Sequence, residues 1–191
     1  MSYLYKNNEK VQVLPVELDS VNNADNSINK FSIKKELPIL KVGFELEKKI
    51  NKPFYMAFYK QLNLSYKISY KFFDCPSDNE LEEKLYSHLL DKFNIQNKKY
   101  ILVHDESSVE NYILDIKSNL KQINLTKEYD IFNNIFLYKK IIRDAEEIHC
   151  INSSFAHLID RIDTKGKLIY HDIRGSRIKL KKNWKYKNYG N

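Results

Sequence analysis

The clearest pattern along the chain is a set of apolar residues at helical spacing. Leu81, Leu85, Leu89 and Phe93 follow one another four apart, which in a helix stacks them on one face. Ser77-Asp78-Asn79-Glu80 stands just ahead of them as a Ser-x-x-Glu capping box. The spacing therefore predicts a helix over 78–93, with the Ser77 hydroxyl on its first free amides. Tyr100-Ile101-Leu102-Val103 is apolar at successive positions and predicts a strand buried on both faces. It runs into the polar loop His104–Ser108. Lys121–Leu125 predicts a second strand. Asp130 caps a helix with apolar face Ile131, Ile135, Tyr138 and Ile142. Glu147–Ile151 predicts a third strand, and Asn152-Ser153-Ser154 opens a helix bearing Phe155, Leu158, Ile159 and Ile162. Lys167–Tyr170 is the last predicted strand. Strands alternating with helices predict an α/β fold with a mostly parallel sheet over residues 95–172.

The first 94 residues are less regular. Val11–Val16 reads as a short strand with Pro15 near its end. Leu18–Lys35 is rich in asparagine and reads as a loop with one helical turn. Ile39–Phe44 reads as a strand closed by Gly43, and Glu45–Leu62 as a helix broken or restarted at Pro53. These elements predict a partial N-terminal lobe or helical extension over 1–94. The aromatic run Phe54–Tyr59 has core-like helical spacing. Residues 173–191 read as a basic C-terminal tail that packs back through Leu180 and Trp184.

Composition narrows the class. Hydrophobic residues make up 42% and charged residues 30% of 191, a folded rather than a disordered composition. No apolar run approaches the ~18 residues of a membrane span, and the start lacks the apolar core of a secretion signal. Two cysteines, Cys75 and Cys150, imply no disulfide framework, so the expected location is the reducing cytoplasm. The net charge of +7 is unevenly placed. Residues 173–191 hold seven basic groups and no acid; removing the seven from 32 leaves 25 basic against 25 acidic groups. Of the basic residues 28 are Lys and four are Arg, whereas base readout and phosphate forks favour Arg. That argues against nucleic acid as the partner. The tail itself could touch an anionic membrane face.

His149, Cys150, His157 and His171 lie close in sequence. Strand alternation sends His149 and Cys150 to opposite faces, and no pair has recurrent ligand spacing, so no metal is expected. Cys150 between isoleucines reads as an inert buried thiol. A strand running into Asn152-Ser153-Ser154 is more informative. The first amides of the following helix point outward, and small hydroxyl residues leave room for a phosphate. From the residues alone, two readings stay open: an anion site suited to a diphosphate, or plain helix capping.

The stretch Ala145-Glu146-Glu147-Ile148-His149-Cys150-Ile151-Asn152-Ser153-Ser154-Phe155-Ala156-His157-Leu158 resembles the nucleotide-sugar site of GT-B glycosyltransferases, closest to the heptosyltransferase-like group. There a strand ends in Asp/Asn, then Ser/Thr, a small residue, two more residues and His-Leu. Asn152, Ser153, Ser154, His157 and Leu158 follow that order. A wider similarity takes in Val42–Glu45, Tyr100–Ser108, Lys167–His171 and Asn183-Trp184. The resemblance implies a Rossmann-like C-terminal half of a GT-B fold. It implies that Ser153 and Ser154 hold a donor diphosphate and that His157 faces the phosphate or sugar. His104 would border the ligand across the cleft, with Asp105 and Glu106 at its hydroxyls. It implies metal-independent transfer of a sugar to a hydroxyl, without a further cofactor. Two features depart from the pattern. The Gly-rich first βα unit, which carries the usual acid–base group, has no counterpart, and the stretch Ser108-Val109-Glu110-Asn111 lacks an Arg.

The expected function is therefore a glycosyltransferase-like protein that binds a nucleotide-diphospho sugar donor, with an unknown acceptor. Such a protein would be completed by missing elements or by a partner, including a second copy pairing through an exposed edge. The alternatives are a non-catalytic, degenerate Rossmann-like interaction module and a basic-tail module for nucleic acid or a membrane surface. The residues fit an enzyme as well as a chain that is inactive alone.

Overall fold

A computed structural model describes residues 5, 9–13, 21–36, 38–39, 42, 52–107, 110–173, 175 and 178–189. Chain contacts divide it into two units, Met1–Asp74 and Cys75–Asn191. The boundary thus falls after Asp74, ahead of the Ser77–Phe93 segment that the sequence placed in the first lobe.

In the first unit, α1 spans Val21–Lys35, where the sequence predicted a loop with a single helical turn. Phe31 is half-buried and Ile28 exposed, and the four asparagines that suggested a loop have only weakly unfavourable helix propensity. Residues 11–13 carry no strand. The rest of the Val11–Val16 strand, most of Ile39–Phe44 and the stretch 45–51 lie outside the described residues. α2 spans Phe54–Gln61 and starts directly after Pro53, as a proline at a helix start allows. α3 spans Ile68–Lys71. Ala57 is buried, while Tyr55, Met56, Phe58 and Tyr59 are half-buried. The Tyr66 ring lies 5.2, 5.3 and 5.8 Å from those of Tyr55, Tyr59 and Tyr70, distances at which aromatic pairs attract.

The second unit is an α/β domain. α4 spans Asn79–Lys92 and buries Leu85, Tyr86, Leu89 and Leu90. Its cap is Asp78 rather than Ser77: Asp78 Oδ1 accepts from the Leu81 amide at 3.3 Å. Glu82, not Glu80, reaches back to the Asp78 amide at 3.1 Å. Lys139 occupies the Ser77 hydroxyl and gathers the residues around the cap. Its ammonium donates to the Cys75 and Pro76 carbonyls at 3.3 and 2.8 Å and to Ser77 Oγ at 2.8 Å, and it pairs with Glu82 at 3.0 Å.

Five parallel strands follow: β1 Tyr100–His104, β2 Lys121–Asn124, β3 Glu147–Cys150, β4 Lys167–Asp172 and β5 Trp184–Asn188. Their order is β2-β1-β3-β4-β5. All five residues of β1 are buried, as expected of a central parallel strand. β5 corrects the reading of 173–191 as a tail. Trp184 is buried by pairing beside Leu168, so the basic segment completes the sheet. The β2–β3 connection holds a 3₁₀ turn, Ile135–Tyr138, that continues into α5, Lys139–Asp144. Its cap is Asn134, accepting from the Phe136 amide at 3.1 Å. The predicted cap, Asp130, instead binds the Phe132 amide at 3.2 Å in a local turn. α6, Ser154–Ile159, links β3 to β4. A Cβ on Gly166 would lie 2.5 Å from the Ala145 carbonyl oxygen, so the entry to β4 needs glycine there. No helix among the described residues is long and apolar enough to cross a membrane.

Alternation and register place Tyr100, Leu102 and His104 on one sheet face with Ile148, Cys150, Tyr170 and Trp184. That face meets helices. The Tyr100 hydroxyl donates to the Ile141 carbonyl at 2.8 Å, and the His104 ring lies 4.6 Å from that of Phe155.

Candidate functional site

The chain leaves β1 toward β2 on one side and later returns to form β3 on the other. The connections diverge at the carboxyl ends of β1 and β3, which in open α/β sheets makes a crevice. A cleft of about 420 Å³ lies there, within the usual range for small-molecule sites. β1 contributes His104 and the following Glu106 and Ser107. The corner after β3 contributes Asn152, Ser153 and Ser154.

The serine corner is open. Asn152 and Ser154 are exposed, and Ser153 is half-buried. Ser153 is extended at φ −156° and caps α6, accepting from the Ala156 amide at 3.4 Å. The amides of Ser154 and Phe155 find no acceptor among the described residues. α6 has only six residues, so its positive end amounts to those local N–H groups rather than a long aligned dipole.

Across the cleft, His104 is 9% exposed, and its Nδ1 has no hydrogen-bond partner. Burial holds its pKa down at about 4, against the opposing pull of Glu106, so the ring is neutral near pH 7. Phe155 is wedged between His104 and Tyr138, whose ring is 5.1 Å away and edge-on. Tyr138 is 1% exposed, and burial raises its hydroxyl pKa, with Asp130 adding to the effect. The floor is thus uncharged and largely aromatic. Among the described residues that line the cleft, the lysine Lys127 stands with two carboxylates, Glu106 and Asp130. Glu106 Oε2 accepts from the Lys127 amide at 3.2 Å. Thr126 also lines the cleft with its buried Oγ1 unpartnered.

Of the residues singled out in sequence, His104, Glu106, Asn152, Ser153 and Ser154 come together at this cleft. Asp105 and His157 do not line it. Asp105 is half-buried, its carboxyl pKa raised by burial, and its charge adds to the burial that raises the Cys150 thiol. His157 is half-buried on α6 and has its pKa lowered by burial and then by Arg161. Its carbonyl accepts from Arg161 Nη1 at 2.8 Å. Sequence reasoning missed Thr126, Lys127 and Tyr138 as cleft residues and read Asp130 only as a cap. The first two follow a predicted parallel strand, and that position was the available signal.

Among the described residues, no three His, Cys, Asp or Glu side chains converge as a metal site. Comparisons of the chain with protein-family models, curated proteins and solved structures find no match to any of them.

Proposed function

We propose that this chain binds a nucleotide-diphospho sugar in the β1/β3 cleft and acts as a glycosyltransferase-like protein, delivering the sugar to an acceptor hydroxyl. One observation carries the reading: an open serine corner with two unengaged amides faces a buried neutral histidine across a ligand-sized cleft. The amides of Ser154 and Phe155, with Lys127, suit a diphosphate. The uncharged floor suits a polar, neutral ring. In transfer, the same donors would stabilise charge growing on the leaving diphosphate.

A second reading is a binding module without transfer. It is favoured by the charge at the mouth, where one lysine stands against two carboxylates. That balance suits a ligand rich in hydroxyls as well as a diphosphate.

Ser154→Glu is the direct test. Ser154 is exposed and is not the cap, and a carboxylate in the first helical turn is tolerated. The variant therefore folds but sets a negative charge at the diphosphate position. UDP, GDP and ADP sugars are titrated calorimetrically into both proteins. Expected is binding of at least one by the native chain and a loss of tenfold or more in the variant. Absence of binding by all of them, or equal binding by both proteins, overturns the reading. Binding without sugar release to any acceptor selects the second one.

A further inference from the structure

The sheet face opposite the helices carries a line of hydrogen-bonding groups that crosses three strands. His149 on β3 and His171 on β4 are 6% and 1% exposed. His149 Nδ1 and His171 Nε2 are 2.8 Å apart. His171 Nδ1 lies 2.6 Å from the hydroxyl of Tyr189, just after β5. That oxygen accepts from the Asp115 amide at 3.0 Å. Lys187 on β5 also grips Asp115, donating to its carbonyl and to Oδ2, each at 2.5 Å.

The phenol oxygen that accepts from Asp115 can donate to His171 Nδ1 or accept from it, so the ring nitrogens serve the same contacts in either order with one proton on each imidazole. The outer nitrogen of the pair, His149 Nε2, faces Glu147 Oε2 at 3.5 Å. A second proton puts a charge into a pair that is 6% and 1% exposed and that shares its sheet face with the Lys187 ammonium.

The chain ends on a segment that needs holding. Residues 112–120 have no helix or strand, and odd positions are exposed while even ones are half-buried. The same connection begins with the cleft residues Glu106 and Ser107, and it is closed there by the Tyr112 amide on the Asp105 carbonyl at 3.0 Å. We propose that His149, His171 and Tyr189 form an acid-operated latch that pins segment 111–120 to β5 and, through it, orders the rim of the cleft.

The charged groups facing the pair pull in both directions, and burial decides the outcome. Burial lowers the pKa of His149, opposed by Glu147 and aided by Lys187. Burial lowers that of His171 to about 4, aided by His149 and Lys187 and opposed by Asp115. The latched state therefore binds fewer protons than the released one. Latching is complete above the ordinary histidine pKa near 6.5 and is lost as pH falls from there toward 4. Taking those two values for His171, release at pH 5 rises roughly twentyfold over pH 7.

The test is amide hydrogen exchange of the full chain without ligand, normalised to intrinsic rates, so its outcome is independent of what the cleft binds. From pH 7 to pH 5, exchange in 111–120 is expected to rise by tenfold or more while β1 and β3 stay protected. A flat profile, or an equal rise throughout the sheet, overturns the proposal. His171→Gln is expected to remove most of that rise; if the rise persists, the latch is not this network. Tyr189→Phe, which leaves the histidine pair in place, is expected to expose the Asp115 amide already at pH 7. Unchanged protection there also refutes the latch.

Discussion

Asp160 lies at the end of α6 and is 2% exposed. Its carboxylate accepts from the Lys181 and Lys182 amides at 2.8 and 2.9 Å and from Trp184 Nε1 at 3.0 Å. Lys182 turns its ammonium onto the Ile159 and Ile162 carbonyls of the same helix end, where a cation is favoured. One buried acid thus fixes where the chain enters β5. Replacing it with alanine removes an acceptor from three donors, of which the buried Trp184 Nε1 costs most, since an unmet buried donor costs about 1–3 kcal/mol. Asp160→Ala is expected to lose about 3 kcal/mol or more in urea denaturation, and Asp160→Asn less, because one oxygen still accepts. Equal stability of Asp160→Ala and the native chain would refute this role. None of it was legible beforehand, because two of the three donors are backbone amides, which have no letter in a sequence. The cap of α6 was legible, because it is the Ser153 hydroxyl itself that accepts from the Ala156 amide.

At the scale of elements, periodicity read well wherever one residue type dominated a face. α4 and β1 to β4 stand close to their expected positions for that reason. The cap of α4 was off by one, since Lys139 opens the next α-helix, beyond β1 and β2, and its pairing with Glu82 cannot be seen locally. The corrected geometry has a measurable consequence. Asp78→Ala is expected to lower stability by about 1 kcal/mol, the usual cost of a lost helix cap. Ser77→Ala should cost less, since its hydroxyl accepts from Lys139 rather than from a helix amide. The reverse order in thermal unfolding would restore Ser77 as the cap. β5 escaped notice for a different reason. Trp-Lys-Tyr-Lys-Asn alternates as a strand should, but its lysines made it look like a solvated tail. It is an edge strand, buried on the Trp184 side, and lysines are a common way to keep such an edge from pairing further.

At the scale of the molecule, strand and helix order implied a parallel sheet, and a parallel sheet implied a ligand site at the strand ends. What sequence order could not supply was lateral position. That β2 lies outside β1, bringing Thr126 and Lys127 to the cleft, depends on pairing between distant segments. The sheet, the cleft, the Asp160 hub and the histidine chain are all built from residues after Asp74. Even the start of α4 is tied down within that unit, by Lys139 on the Cys75 and Pro76 carbonyls. A span of this size suffices for an independent core. A chain cut to Cys75–Asn191 is therefore expected to unfold in urea as one cooperative transition. Trp184, the only tryptophan, reports the integrity of β5 through its fluorescence. A broad, non-cooperative transition, or a Trp184 emission already solvent-like before denaturant is added, would show that Cys75–Asn191 cannot hold its sheet alone.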